Sequence, residues 1–190
     1  LFQSEQLFPN EELETIILTK SYRSTKQIFE FTEGILKDNH KVVPFNRNGE
    51  LPQVIFVKNE QILHQTLIDI IDHLQGKAFE TIAIICKTVQ ETKQAYERLK
   101  DMLNIQMIQK ETQSYDKGLL LIPSYLAKGI EFDSVIIYNA SNEVYKEEDE
   151  RRLFYTACTR AMHELYLFSI GKESVFLQNV DQNKYKRIQI

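Results

Sequence analysis

TIAIICK, residues 81–87, is an unbroken apolar run rich in β-branched side chains. Successive side chains of a strand point to opposite faces, so a run without polar alternation belongs to a strand buried on both sides. An amphipathic helix follows, with Tyr96, Leu99 and Leu103 on its apolar stripe. A buried strand followed by a helix is the repeating unit of a parallel sheet. Downstream, NIQMIQ (104–109) reads as a short strand, ETQSYDKG (111–118) as a polar turn, and GLLLIP (118–123) and SVIIY (134–138) as two more buried strands. KEEDERR (146–152) opens a helix running through His163, and ELYLFS (164–169) closes as a strand.

Upstream, the apolar run ETIIL (14–18) leads into a helix with Ile28, Phe31 and Ile35 on one stripe. Ser24 followed by Gln27 is a capping-box pattern, which starts that helix at Ser24 and leaves Tyr22 and Arg23 just outside it. A strand over 53–58 and a helix over 62–74, striped with Leu63, Leu67, Ile70, Ile71 and Leu74, complete the series. Strands alternating with helices predict a doubly wound α/β domain with a mostly parallel sheet. Residues 182–190 could be a loosely attached tail.

A chain of 190 residues with 43% hydrophobic content can bury one core, so residues 1–190 are expected to form a single domain. No apolar run is long enough for a membrane span or a signal peptide, and no membrane partner is expected. Cys86 and Cys158, in apolar surroundings without CxxC spacing, read as reduced, buried thiols of a cytoplasmic protein. The histidines share no ligand spacing, so no metal site is expected. A net charge of −4 excludes the broad positive field of an autonomous nucleic-acid binder, leaving local patches. The chain opens on Leu1 in an apolar stretch, which suggests a piece of something larger.

In open parallel sheets, ligands sit beyond the carboxyl ends of the strands. Four loops were therefore searched as strand exits. TKSYRST (19–25) sets Tyr22 and Arg23 at a helix N-terminus, where backbone N–H groups favour an anion. SYLAKGIEFD (124–133) carries Ser124, Tyr125 and Lys128 for a phosphodiester, Gly129 for close backbone approach, and Glu131 for sugar hydroxyls. In DERRLFYTACTRA (149–161), Arg152, Tyr155 or Thr156, and Thr159 with Arg160 form a polar helix edge, while Leu153, Phe154 and Ala157 pack inward. CKTVQET (86–92) places Lys87 and Thr88 at a strand exit. The acidic run 147–150 reads as carboxylates at a helix N-terminus rather than as a metal site.

Taken in order, the four loops resemble a known set. SYRS (21–24) resembles motif IV of the UvrD/Rep/PcrA-type superfamily 1 DNA helicases, and TIAIICKT (81–88) their motif IVa. AKGIEFDSVII (127–137) resembles motif V and ERRLFYTACTRA (150–161) motif VI. The resemblance implies a RecA-like, P-loop NTPase-type three-layer domain, the C-terminal motor half of an ATP-dependent DNA helicase or translocase. It implies that Tyr22 stacks on adenine, Arg23 and Arg160 reach the γ-phosphate as arginine fingers, and Gly129 and Glu131 lie at the nucleotide sugar. Lys87, Thr88, Ser124, Tyr125 and Lys128 would lie near single-stranded DNA.

Pro123 and Tyr125 stand where the family usually has Thr and His, and Val89 where it has Asn. These departures resemble the helicase IV and HelD-like branch, some of whose members act on RNA polymerase rather than unwinding DNA. The large insertion usual between motifs IV and V is replaced by a short polar loop. The chain has no GxxxxGK[ST] and no strand ending in paired Asp-Glu. ATP with Mg2+ is therefore expected to be held mainly by the first RecA-like domain of the same polypeptide, and the isolated chain is expected to be inactive.

Overall fold

The computed structural model describes residues 20–21, 23–36, 43–44, 46–112 and 117–190. The strand expected over 14–18 and the side chain of Tyr22 lie outside the described residues. A two-residue parallel ladder joins β1 (Lys20–Ser21) to β2 (Val43–Pro44), flanking helix α1 (Lys26–Ile35). The main sheet is built from β3 (Gln53–Val57), β4 (Thr81–Cys86), β5 (Ile105–Met107), β6 (Gly118–Pro123), β7 (Phe132–Ile137), β8 (Ala161–Ile170) and β9 (Lys186–Gln189). Its order is β5-β6-β4-β7-β8-β3-β9, and every neighbouring pair is parallel.

Helices α2 (Glu60–Gln75) and α3 (Val89–Leu99) cover one face; α1, α4 (Arg151–Cys158) and the segment around Phe176 and Leu177 cover the other. The unbroken apolar run of β4 divides between them. Ile82, Ile84 and Cys86 pack with Leu67, Ile71 and Leu99, whereas Ala83 and Ile85 pack with Ile28, Phe154 and Ala157. Both faces are dry, which is why no polar residue interrupts the strand. Cys86 and Cys158 are free and buried, and burial pushes both thiols well above their usual range. Among the described residues no helix is long and apolar enough to cross a membrane.

Three sequence expectations are corrected. Helix α1 is capped by Thr25, whose hydroxyl accepts from Ile28 N–H at 3.4 Å, and not by Ser24. The Gln27 side chain cannot close a capping box because it accepts from Gly49 N–H at 2.8 Å. The helix expected to run through His163 ends at Cys158, and β8 begins at Ala161. Pairing decides this: Phe132 lies opposite Ala161, and Phe132 N–H donates to the Arg160 carbonyl at 2.9 Å.

Residues 182–190, expected as a loose tail, instead provide edge strand β9, paired with β3 from Gln53–Lys186 to Phe56–Gln189. Only one neighbour and little burial are available to an edge strand, so KRIQ carries the charge typical of exposed edges and looks unstructured in the sequence. Tyr185 anchors it, packed edge-to-face on Phe31 at 5.7 Å, and the Arg187 guanidinium lies 3.9 Å from the Phe56 ring centroid.

Candidate functional site

In an all-parallel sheet each connection leaves one edge and returns to the other. The expected site residues consequently fall on two edges rather than together at strand exits. Lys87 follows β4 and Ser124 follows β6, at the carboxyl edge. Glu131 precedes β7 and Arg160 precedes β8, at the amino edge. Residues 124–131 form the whole crossover between the edges. Within it Ala127 is buried, and Leu126 and Ile130 pack on the core shared with α1 and α4.

At the amino edge three distant segments are knitted together. Arg160 is only 8% exposed, and its Nε donates to the Thr156 carbonyl at 3.0 Å. Its Nη1 donates to the Ile130 carbonyl at 3.3 Å and its Nη2 to Thr159 Oγ1 at 3.3 Å. The Ser24 hydroxyl donates to the Ala161 carbonyl at 2.7 Å, and Thr25 N–H to the Met162 carbonyl at 3.2 Å. These bonds hold the Arg23 turn against the start of β8. Arg23 then forms an ion pair with Glu131, which stands between the Ile130 carbonyl that Arg160 uses and Phe132. Gly129, two residues earlier, has φ +89°, a conformation that other residues rarely adopt.

The electrostatics follow from this crowding. Burial lowers the Arg160 pKa from its ordinary value, and the positive charge of Arg23 lowers it further, against the opposing pull of Glu131 and Tyr155. Burial, then Glu33, raises the Tyr155 phenol, while Arg160 and Arg23 act in the other direction. Arg23 thus pairs directly with Glu131, while Arg160 feels both charges without bonding to either. Arg160 is fixed by its hydrogen bonds, and Arg23 is half-exposed. Planar forks of this kind suit bidentate contacts to an oxyanion.

The carboxyl edge is less uniform. Lys87 pairs with Glu150, donates to the Val144 carbonyl and lies 5.4 Å from the Tyr145 ring centroid. The Thr88 hydroxyl caps α3, accepting from Glu91 N–H at 3.1 Å. Ser124 is buried, and its hydroxyl donates to the Lys87 carbonyl at 2.8 Å. Tyr125 and Lys128 face solvent, Tyr125 at 49% exposure. Tyr125 borders a cleft of about 250 Å³ that Val89, Lys93, Met107, Gln109 and Lys110 also line. On this edge the side chains of Thr88, Val89 and Tyr125 are exposed, while Ser124 and Lys87 tie loops together.

Four residues of this framework were not singled out in the sequence. Glu150 was visible only within an acidic run, yet it is the partner of Lys87. Tyr145 is fully buried beneath Lys87, with its hydroxyl unpaired among the described residues. Arg151 occupies the inward face of α4 in place of the expected Leu153, chelated by Glu148 at 2.6 and 2.8 Å and donating to the Ile35 carbonyl at 2.7 Å. Its position three residues before Phe154 was the available signal, obscured by its charge. Arg47, which reaches the Arg23 turn, carried no signal.

The profile of the UvrD-like helicase C-terminal domain family matches residues 118–168. The C-terminal domain of a possible DNA helicase from Lactobacillus plantarum WCFS1 is 39% identical, with a TM-score of 0.77 over 88% of this chain and 98% of that one. The chain belongs to the UvrD-like helicase C-terminal domain family. A second relative, named probable DNA helicase II homolog, from Mycoplasma pneumoniae, is 24% identical over 90% of the chain. The chain spans 26% of the length of that relative. In this UvrD-like domain the matched residues 118–168 contain the crossover, α4 and most of β8, so both Glu131 and Arg160 lie within the family segment.

Proposed function

We propose that the chain is the C-terminal, second RecA-like motor domain of an ATP-dependent DNA helicase or translocase. Arg23 and Arg160 would act as arginine fingers toward ATP held with Mg2+ by the first motor domain of the same polypeptide. The observation that supports this best is the convergence of Arg23, Glu131 and Arg160 at one sheet edge, joined through the Ser24–Ala161 and Arg160–Ile130 hydrogen bonds. The Arg23 and Arg160 guanidinium groups, brought to one edge, fit the oxygens of a polyphosphate. The sequence has no GxxxxGK[ST], and no group of three His, Cys, Asp or Glu among the described residues could hold a metal ion. This wall therefore contributes guanidinium groups to a composite site.

The roles follow from the burial and bonding of each group. Arg160 is held in place and stabilises charge growing on the transferred phosphoryl group without reorganising. Arg23 exchanges its ion pair with Glu131 for phosphate oxygens, which frees the Glu131 carboxylate to accept from sugar hydroxyls beside Gly129. Tyr22, immediately before Arg23, stacks on the adenine. Tyr125, on the opposite edge, and Lys128, in the crossover, meet single-stranded DNA, with Lys87, Thr88 and Ser124 shaping the loops beside them.

The test is Arg160→Ala in the full-length protein. Turnover of ATP is expected to fall by on the order of a thousandfold, as for a lost arginine finger. Turnover near that of the parent would defeat the proposal.

A further inference from the structure

The turn that carries Arg23 is held by a residue outside every motif and ion pair described above. Arg47 lies between β2 and β3, and its Nη2 donates to two carbonyls at once, Arg23 at 2.7 Å and Met162 at 2.7 Å. Its own carbonyl accepts from Lys26 N–H at 2.8 Å. Its Nε is buried and has no partner among the described residues. The rest of the strap is equally close. Gly49 N–H donates to Gln27 Oε1 at 2.8 Å, and a Cβ at Gly49 would come within 2.5 Å of Thr25 Cγ2.

Two carbonyl dipoles from segments far apart in sequence point to one place, an arrangement that is unfavourable without a cation between them. A guanidinium supplies several donors in a fixed plane and can satisfy both. The Met162 carbonyl also receives Thr25 N–H, so Arg47 completes a junction already begun by the backbone. We propose that Arg47 is a positioning residue for the arginine pair. It fixes the main chain of Arg23 to a point two residues past Arg160 and thereby sets the separation of the two guanidinium groups. The inference rests on the proposal that Arg23 and Arg160 act on the phosphates of ATP.

The test compares Arg47→Ala, Arg23→Ala, Arg160→Ala and the Arg47→Ala/Arg23→Ala double variant in the full-length protein. Arg47→Ala is expected to lower kcat for ATP hydrolysis by about tenfold to a hundredfold, the scale of a displacement of about 1 Å, while KM for ATP changes little. Millimolar guanidinium should restore part of the turnover, which repair of a general folding defect would not do. In the Arg23→Ala background, Arg47→Ala should add little further loss, because it acts through the group already removed.

Parent-level kcat in Arg47→Ala, alongside loss in Arg23→Ala and Arg160→Ala, overturns the inference alone; so does a full additional loss in the double variant. Parent-level turnover in both Arg23→Ala and Arg160→Ala overturns the underlying function and the inference together. Should Arg47→Ala fail to fold, Arg47→Lys keeps the stem and charge without the planar fork and carries the same comparison, with a smaller loss expected.

Discussion

Lys87 and Glu150 show how much a single ion pair depends on its surroundings. Their side chains are 20% and 21% exposed, Lys87 also donates to the Val144 carbonyl, and the Tyr145 ring lies beneath it. Burial tends to raise the Glu150 carboxyl pKa, but hydrogen bonds from Lys87 and from the Lys146 and Glu147 amides leave it below the usual value. An exposed pair contributes under about 1 kcal/mol, whereas removing one partner of a buried pair costs several. Between those limits, Glu150→Ala should destabilise the chain by about 1–2 kcal/mol, read as a lower urea midpoint with unchanged slope. A midpoint equal to the parent's would mean that the pair is fully screened. His64 offers a second measurement. Its Nε2 lies 2.7 Å from the Tyr138 hydroxyl, and burial holds its pKa below the model-peptide value of 6.5. The fold therefore favours neutral imidazole, and the unfolded chain takes up the proton first as pH falls. The stability His64 contributes is present above pH 6.5 and is lost as pH falls through the lower folded value. The Tm of His64→Gln should consequently depend less on pH below 6.5 than that of the parent; parallel curves would refute the assignment.

At the scale of elements, the start of α1 separates two hydroxyls that look equivalent in sequence. Thr25 caps the helix, and Ser24 reaches across to β8. Thr25→Ala should cost about 1 kcal/mol as a lost N-cap and leave the Arg23 turn in place. Ser24→Ala removes the bond to Ala161 and should reduce ATP turnover of the full-length protein more than it reduces Tm. Equal ratios of the two effects in both variants would remove that distinction. The buried strands were legible because apolar runs such as TIAIICK are long and two-sided. The two-edged arrangement is implied by a parallel sheet but is missed when the whole 124–133 stretch is read as one strand exit. The parallel pairing of β6 and β7 with β4 makes this loop span the sheet. The Arg47 junction is invisible because its partners are carbonyls, which every residue has.

At the scale of the molecule, α4 and the crossover 124–131 both run across the face between the edges. One end of α4 lies near Lys87 through Glu150 and the other leads to Arg160, so one packed helix joins the proposed nucleotide and single-strand edges. The sheet itself is closed on one side by β9, which the ion pairs Lys184–Glu30, Lys186–Glu50 and Arg187–Glu173 help to hold. Tyr185 is buried against Phe31, and two main-chain bonds, Lys186 N–H to Pro52 at 2.8 Å and Ile190 N–H to Phe56 at 3.0 Å, bracket the pairing with β3. Deleting residues 182–190 should therefore do two things. Loss of the Tyr185 anchor and the strand should lower the unfolding midpoint, and the newly exposed backbone of β3 should make the chain associate as concentration rises. Light scattering and urea titration at several concentrations separate the effects. A loosely attached tail would leave both unchanged, and that outcome would remove β9 from the sheet.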